Sequence, residues 1–137
     1  MTMKISSTKD SVDLGIIIRD WAATRRFYCE VLGLEHTADM VMPIGNGTMH
    51  RVQAGSVTLK FSEYPEPRAA ANPAGGPVAA YGVRYFTFWI DNLEDTVGAL
   101  GDAGYEVTVP ITEVRPGVRI AMVIDPDGNW VEFLQAA

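Results

Sequence analysis

The chain holds a single cysteine, Cys29, among 137 residues, so no intrachain disulfide can form. That points to a reducing, cytoplasmic setting, with the thiol buried inside a helix. Long apolar runs are missing as well. None approaches the roughly 18 residues that span a bilayer, and the polar opening MTMKISSTKD carries no export signal, so no membrane association is expected. Basic residues number 11 against 17 acidic ones, a formal charge of -6. A surface of that sign repels phosphate backbones and gains nothing from counterion release, which excludes nucleic acid as a partner and leaves neutral or cationic small molecules. The chain also lacks a phosphate-binding loop, a CxxC pair, an HExxH helix and a Ser-His-Asp set, so the common nucleotide, zinc-protease and hydrolase chemistries have no footing.

What is present suits one globular domain. With 47% hydrophobic and 20% charged residues, a chain of this length buries about two-thirds of its unfolded surface. The run VDLGIII, Val12 to Ile18, reads as a strand buried on both faces. Asp20 then caps a helix whose Trp21, Thr24, Phe27, Tyr28, Val31 and Leu32 share a face until Gly33 stops it. Three strands follow, Leu34 to Met42, Met49 to Ala54 and Ser56 to Ser62, the last two joined by a tight Ala54-Gly55 turn. Residues 63 to 84 carry Pro65, Pro67, Pro73, Pro77 and a Gly-Gly pair, and read as a mobile connector without regular structure.

The second half repeats that order. YFTFWI, Tyr85 to Ile90, is a strand, and Asn92 caps a helix carrying Leu93, Val97 and Leu100 on one face up to Gly104. Glu106 to Val109, Val118 to Ile124 and Trp130 to Leu134 are strands again, the last two joined by DPDGN. A repeated unit of about seventy residues, β-α-β-β-β twice, is a stronger sign than either half alone. The expected fold class is α+β, with modules 12-62 and 85-135 on either side of the connector.

Two stretches resemble a known family. DLGIIIRDWAATRRFYCEVLGLE, with its Phe27-Tyr28-Cys29-Glu30-Val31-Leu32-Gly33 helix end, is similar to the opening of vicinal-oxygen-chelate proteins. AMVIDPDGNWVEFLQ, residues 121 to 135, resembles their closing hairpin. The chain is thus identified as a member of the glyoxalase, bleomycin-resistance and extradiol-dioxygenase superfamily. The resemblance implies two βαβββ modules curving as a mixed sheet around a central cavity with helices outside, and a homodimer. Strands suited to burial on both faces support the dimer.

The resemblance also implies four places for metal ligands, and these fall on Asp13, Lys60, Tyr85 and Glu132. Only Glu132 matches the family's usual ligands. A lysine ammonium offers no lone pair, so Lys60 is expected to stand in for a metal's charge between two carboxylates, with no metal or other cofactor bound there. If these four carry catalysis, Lys60 orients a ligand oxygen or Tyr85 while Asp13 or Glu132 moves a proton. The alternative is a structural ion cluster. Strand alternation adds Thr87, Trp89 and Trp130 to the cavity face, along with Gly15, Ile17, Arg19 and Leu134. Met49 and Arg51 are expected to share the face of Lys60, with Met49 directly opposite it, and Arg119 to face the cavity opposite Leu134. The paired tryptophans suit a flat apolar or aromatic ligand. His50 is expected on the helix side and His36 at the surface.

Three functions follow from the resemblance: metal-independent sequestration of a small molecule, a metal-independent isomerase, lyase or cyclase using the same cavity, or a metal-dependent lyase or dioxygenase. The missing histidines favour sequestration, whereas titratable groups at the ligand places favour chemistry.

Overall fold

The computed structural model describes residues 3–137. Its strands are β1 (Leu14–Ile18), β2 (Glu35–Val41), β3 (Thr48–Ala54), β4 (Val57–Glu63), β5 (Tyr85–Trp89), β6 (Val107–Arg115), β7 (Val118–Ile124) and β8 (Trp130–Ala136). The helices are α1 (Trp21–Arg25) and α2 (Leu93–Asp102). The expected α+β fold of two βαβββ modules is present. The strands are hydrogen-bonded as two four-stranded sheets, ordered β1-β4-β3-β2 and β5-β8-β7-β6. In each, the first strand runs parallel to the last and the others form an antiparallel meander. None of the helices is long and apolar enough to cross a membrane.

Asp20 caps α1 as expected, its carboxylate accepting from the Ala22 amide at 3.1 Å. The helix then widens into a π-helical stretch, Arg26–Val31, with Leu32 N donating to Phe27 O five residues back. That extra residue per turn sets Phe27 and Tyr28 side by side, both fully buried. A 3.6-residue repeat could not show it. Gly33, at φ 74°, ends the segment. Asn92 precedes α2, but its side chain accepts from no helix amide, only from the Thr96 hydroxyl at 3.3 Å; the Gln135 side chain of β8 accepts from Leu93 N instead, at 2.9 Å. Cys29 is half-buried rather than buried.

The core is one cluster that joins both modules. Phe27, Tyr28, Val52, Leu59 and Phe61 from the first pack with Leu93, Leu100, Val123, Val131 and Phe133 from the second. Burying each of the larger side chains contributes about 1.5–3 kcal/mol. Burial of β1 and β5 on both faces does not hold in the single chain. Ile17, Tyr85 and Trp89 are 47%, 47% and 69% exposed, because only one face of each sheet meets the helices. Three register details decide where side chains point. The β3-β4 turn is Gly55-Ser56, pairing Ala54 with Val57. This sets Lys60 opposite Arg51, and Met49 opposite Ser62; a shift of two leaves the faces unchanged. In the second module Arg119 pairs with Gln135 rather than Leu134, and a shift of one flips the face. Finally β6 runs on through Pro110 to Arg115, past the expected end at Val109, with register breaks that absorb the proline.

Candidate functional site

A cavity of about 660 Å³ lies along the seam between the two modules. Its walls are β1 with Arg19, the connector from Tyr64 to Asn72, the stretch Val83 to Phe86, and Asp127 and Asn129 of the β7-β8 turn. The volume falls in the range of sites for drug-sized molecules. Leu14, Ile16, Ile18, Pro65, Pro67, Val83 and Phe86 give it apolar walls, and Arg19, Arg68 and Arg84 bring cationic groups.

Each wall is fixed by a local device. The Asp125 carboxylate is buried in the β7-β8 turn and accepts four hydrogen bonds: Asp127 N and Asn129 N at 2.9 Å, the Asn129 side-chain amide at 2.9 Å, and the Tyr28 hydroxyl at 2.6 Å. The turn is thereby pinned to the first module. Burial, with Asp125 beside it, pushes the Tyr28 hydroxyl well above its ordinary range, so Tyr28 stays a donor. Asp127 in turn accepts from Arg19 N at 3.0 Å and pairs with the Arg19 guanidinium at 3.4 Å.

The connector, expected to be mobile, is tied down. Arg84 donates to Gly76 O at 2.8 Å, Asn72 Oδ1 at 2.9 Å and Pro73 O at 2.7 Å. Asn72 donates to Asp127 O and Asn129 Oδ1. Gly76 opens a short 3-10 turn (Gly76–Val78) and lies flat on the indole of Trp130. Arg68 stacks over Tyr64, 4.7 Å from the ring centre.

Asp127 makes this wall sensitive to pH. Burial raises its carboxyl above the ordinary value near 3.8, and the Arg19 amide only partly offsets it. A carboxyl with a raised folded pKa takes up its proton more readily in the folded chain. Its contribution therefore favours folding in acid and is lost as pH rises through the folded pKa. Asp127→Asn removes that dependence. Thermal unfolding from pH 3 to pH 7 should show the variant gaining on the parent as pH rises; a difference constant with pH would refute this origin.

Of the residues at the family's ligand places, Asp13 pairs with Lys60, Glu132 pairs instead with Thr87, and Tyr85 joins neither. Asp13 accepts from Lys9 Nζ at 2.5 Å and Thr58 N at 3.2 Å, with Lys60 Nζ 3.6 Å from its other oxygen. The Lys9 hydrogen bond, then the Thr58 amide, hold the Asp13 carboxyl below its ordinary range. Glu132 accepts from Thr87 at 2.6 Å, and among the described residues no ion pair joins it to Lys60. The expected cluster of one cation between two anions is thus not formed. Tyr85 stands apart from both pairs, half exposed, and lines the cavity. This donor set does not fit a metal ion: Lys60 offers no lone pair, and Asp13 is already engaged by two ammonium groups and an amide.

Lys60 therefore matters little to stability. The pair is partly exposed and Asp13 keeps two other donors, so Lys60→Met should leave the unfolding midpoint within about 2 °C of the parent. A fall of many degrees would mean that Lys60 offsets more negative charge than Asp13 alone.

The remaining sequence candidates are placed as follows. Thr87, Trp89 and Trp130 lie on the face of Glu132, as alternation required, but Trp89 is mostly exposed and Trp130 is covered by Gly76. Met49 and Arg51 share the face of Lys60; neither lines the cavity. Arg119 sits on the helix side, paired with Glu94 at the start of α2, and is corrected from the cavity to that surface. Sequence reasoning missed the connector, Arg84, Asp127 and Asn129 as walls, although DPDGN and the prolines were visible. Of the groups facing inward from β1, Gly15, Ile17 and Arg19 do line it.

Paired βαβββ modules around a seam cavity are the architecture of the vicinal-oxygen-chelate fold. The Glyoxalase/Bleomycin resistance protein/Dioxygenase superfamily model matches residues 11–133, and the chain belongs to that family. Among solved structures, a glyoxalase family protein from Bacillus cereus superposes with a TM-score of 0.81 at 14% identity, covering 99% of each chain. The antibiotic-binding protein TnmS3 from Streptomyces sp. CB03234 gives 0.67 at 21% identity, over 99% of this chain and 100% of that one. Glyoxalase I of Leishmania major gives 0.66 at 22%, over 90% and 84%. At these identities the likeness is one of fold. A search of curated proteins finds no match.

Proposed function

We propose that the chain binds and sequesters an apolar or aromatic small molecule in the seam cavity without a metal; a protein of similar fold is described as antibiotic-binding. The observation that carries this reading is the state of Asp13, Lys60 and Glu132. Asp13 is held by Lys9, the Thr58 amide and Lys60, and Glu132 takes the Thr87 hydroxyl, so the three do not converge on one ion, whereas none of them lines the cavity of drug-ligand size. The apolar walls take the body of the ligand and the exposed guanidinium of Arg19 meets an oxygen at its edge. We further propose a homodimer in which a second copy covers Ile17, Tyr85 and Trp89, the apolar side chains left exposed on β1 and β5.

Proton-transfer catalysis by Asp13, Tyr85 or Glu132 has less support. Of the three only Tyr85 reaches the cavity, and no base is hydrogen-bonded to it among the described residues.

8-Anilinonaphthalene-1-sulfonate, flat, apolar and anionic, is a suitable probe. Its fluorescence should rise saturably with one site per chain, unchanged by EDTA, and Ile17→Trp, which fills the cavity from a half-exposed position, should weaken binding at least about tenfold. Loss of the signal in EDTA would contradict a metal-independent site.

A further inference from the structure

On the opposite, helix-packed side of the first sheet, β2 and β3 bring together both histidines of the chain and one aspartate. His36 Nε2 and His50 Nδ1 lie 2.6 and 2.7 Å from the same oxygen, Asp39 Oδ1. One ligand atom from each of the three residues lies within 4.8 Å of the others. Simple strand alternation would keep His36 and Asp39, three apart, on opposite faces. A bulge at Thr37 undoes this: pairing steps from His36↔Val52 to Ala38↔Arg51, and Asp39 then stands directly across from His50. The seam cavity uses none of the three.

We propose that His36, Asp39 and His50 bind a divalent first-row transition ion such as Zn²⁺. Two imidazoles and one carboxylate suit zinc, cobalt, nickel or copper and not the all-oxygen preference of calcium or magnesium. Bonds of about 2.0–2.2 Å in tetrahedral geometry separate ligand atoms by roughly 3.4 Å. Each histidine-to-aspartate contact must therefore open by about 0.7 Å, and the two ring nitrogens, within 4.8 Å of each other, draw together by up to about 1.4 Å; rotation of Asp39, whose side chain is 51% exposed, and of the partly exposed His36 supplies this. Each ring ligates as neutral imidazole, its proton carried on the other ring nitrogen or released to water, and three protein ligands leave room for water on the exposed side.

The rings are already aimed. Trp21 stacks on His50 with centroids 4.2 Å apart and planes 4° from parallel, and packs against His36 at 4.8 Å. Trp21 is itself held, its amide donating to Glu63 at 2.5 Å. Packing against Trp21 fixes the ring orientations before an ion arrives, and such preorganisation lowers the cost of binding. Because β2 is the free edge of its sheet, the ion would join the edge strand to its neighbour and stabilise the fold by linkage.

The test uses chelator-treated full-length protein without a histidine tag, titrated with Zn²⁺ by calorimetry. One ion per chain is expected, weakened at least about tenfold in His36→Gln and in Asp39→Asn, and unchanged in Glu132→Gln, which alters a family ligand position. Zn²⁺ should raise the unfolding midpoint of the parent but not of His36→Gln. Co²⁺ should quench Trp21 fluorescence, and Trp21→Phe should lose that response while keeping the one-ion stoichiometry. Both ligand variants sit at partly exposed positions, and either one alone decides the matter. Absence of saturable uptake, uptake unaltered in His36→Gln and Asp39→Asn, or uptake lost in Glu132→Gln would overturn the proposal and leave a hydrogen-bonded trio.

Discussion

Asp125→Ala is expected to destabilise the protein by about 3–5 kcal/mol, the range for breaking a buried charged network by removing one partner. The carboxylate serves four donors at once, two of them backbone amides in a five-residue turn, and its oxygens lie in a site only 5% exposed. Alanine leaves the fully buried Tyr28 hydroxyl without its acceptor and frees the turn that presents Asp127 and Asn129 to the cavity. Denaturant unfolding measures the loss, and ligand affinity should fall with it because that wall is no longer held. Tyr28→Phe is the milder companion: it removes the donor and its unmet need together, so it should cost about 1 kcal/mol. Equal losses in the two variants would show that the turn amides contribute nothing and would refute this account of the wall.

The second large effect is expected at Gly76. The residue holds a left-handed backbone at φ 57°, and a Cβ there would stand 2.4 Å from the Trp130 ring. A left-handed alanine alone costs about 1 kcal/mol, and so close an approach to an indole requires the ring or the connector to move. We expect Gly76→Ala to cost about 2–4 kcal/mol if the contact is kept. If instead the connector lifts away, stability changes less but binding of the anilinonaphthalene probe weakens at least about tenfold, since Tyr64 to Asn72 form one side of the cavity. The two measurements together read where the strain goes. A variant with parental stability and parental affinity would mean that the connector does not pack on Trp130.

The order of elements was legible because each carries its own periodicity and punctuation. VDLGIII and YFTFWI give the two parallel strands, Asp20 and Gly33 bracket the first helix, and DPDGN announces the last hairpin. Hidden features all depend on counting residues across a turn or on contacts distant in sequence. The chain turns at Gly55-Ser56 instead of Ala54-Gly55, a shift of two that keeps every face, so Met49 and Arg51 lie on the expected side of the sheet while Met49 faces Ser62 in place of Lys60. A one-residue slip across DPDGN moved Arg119 to the wrong face altogether. The bulge at Thr37 has no local signature, and without it His36 and Asp39 do not share a side. Proline and glycine content correctly ruled out long elements between residues 63 and 84, but could not show that Arg84 and Asn72 fasten the segment into a wall. Asp13, Lys60 and Glu132 are the family's ligand places in the sequence, but the pairing that separates Lys60 from Glu132 joins strands distant in the chain and has no local signature.

The central claim is that a small molecule enters the seam cavity and needs no metal to do so. Backbone amide shifts of isotopically labelled protein, followed by nuclear magnetic resonance during addition of the anilinonaphthalene probe in EDTA, test it directly. Saturable shifts are expected in Leu14 to Arg19, Glu66 to Asn72 and Val83 to Phe86, with Lys60, Glu132 and the His36–Asp39–His50 trio undisturbed. Shifts centred on Lys60 and Glu132, or no saturable response until a transition metal is added, would contradict it.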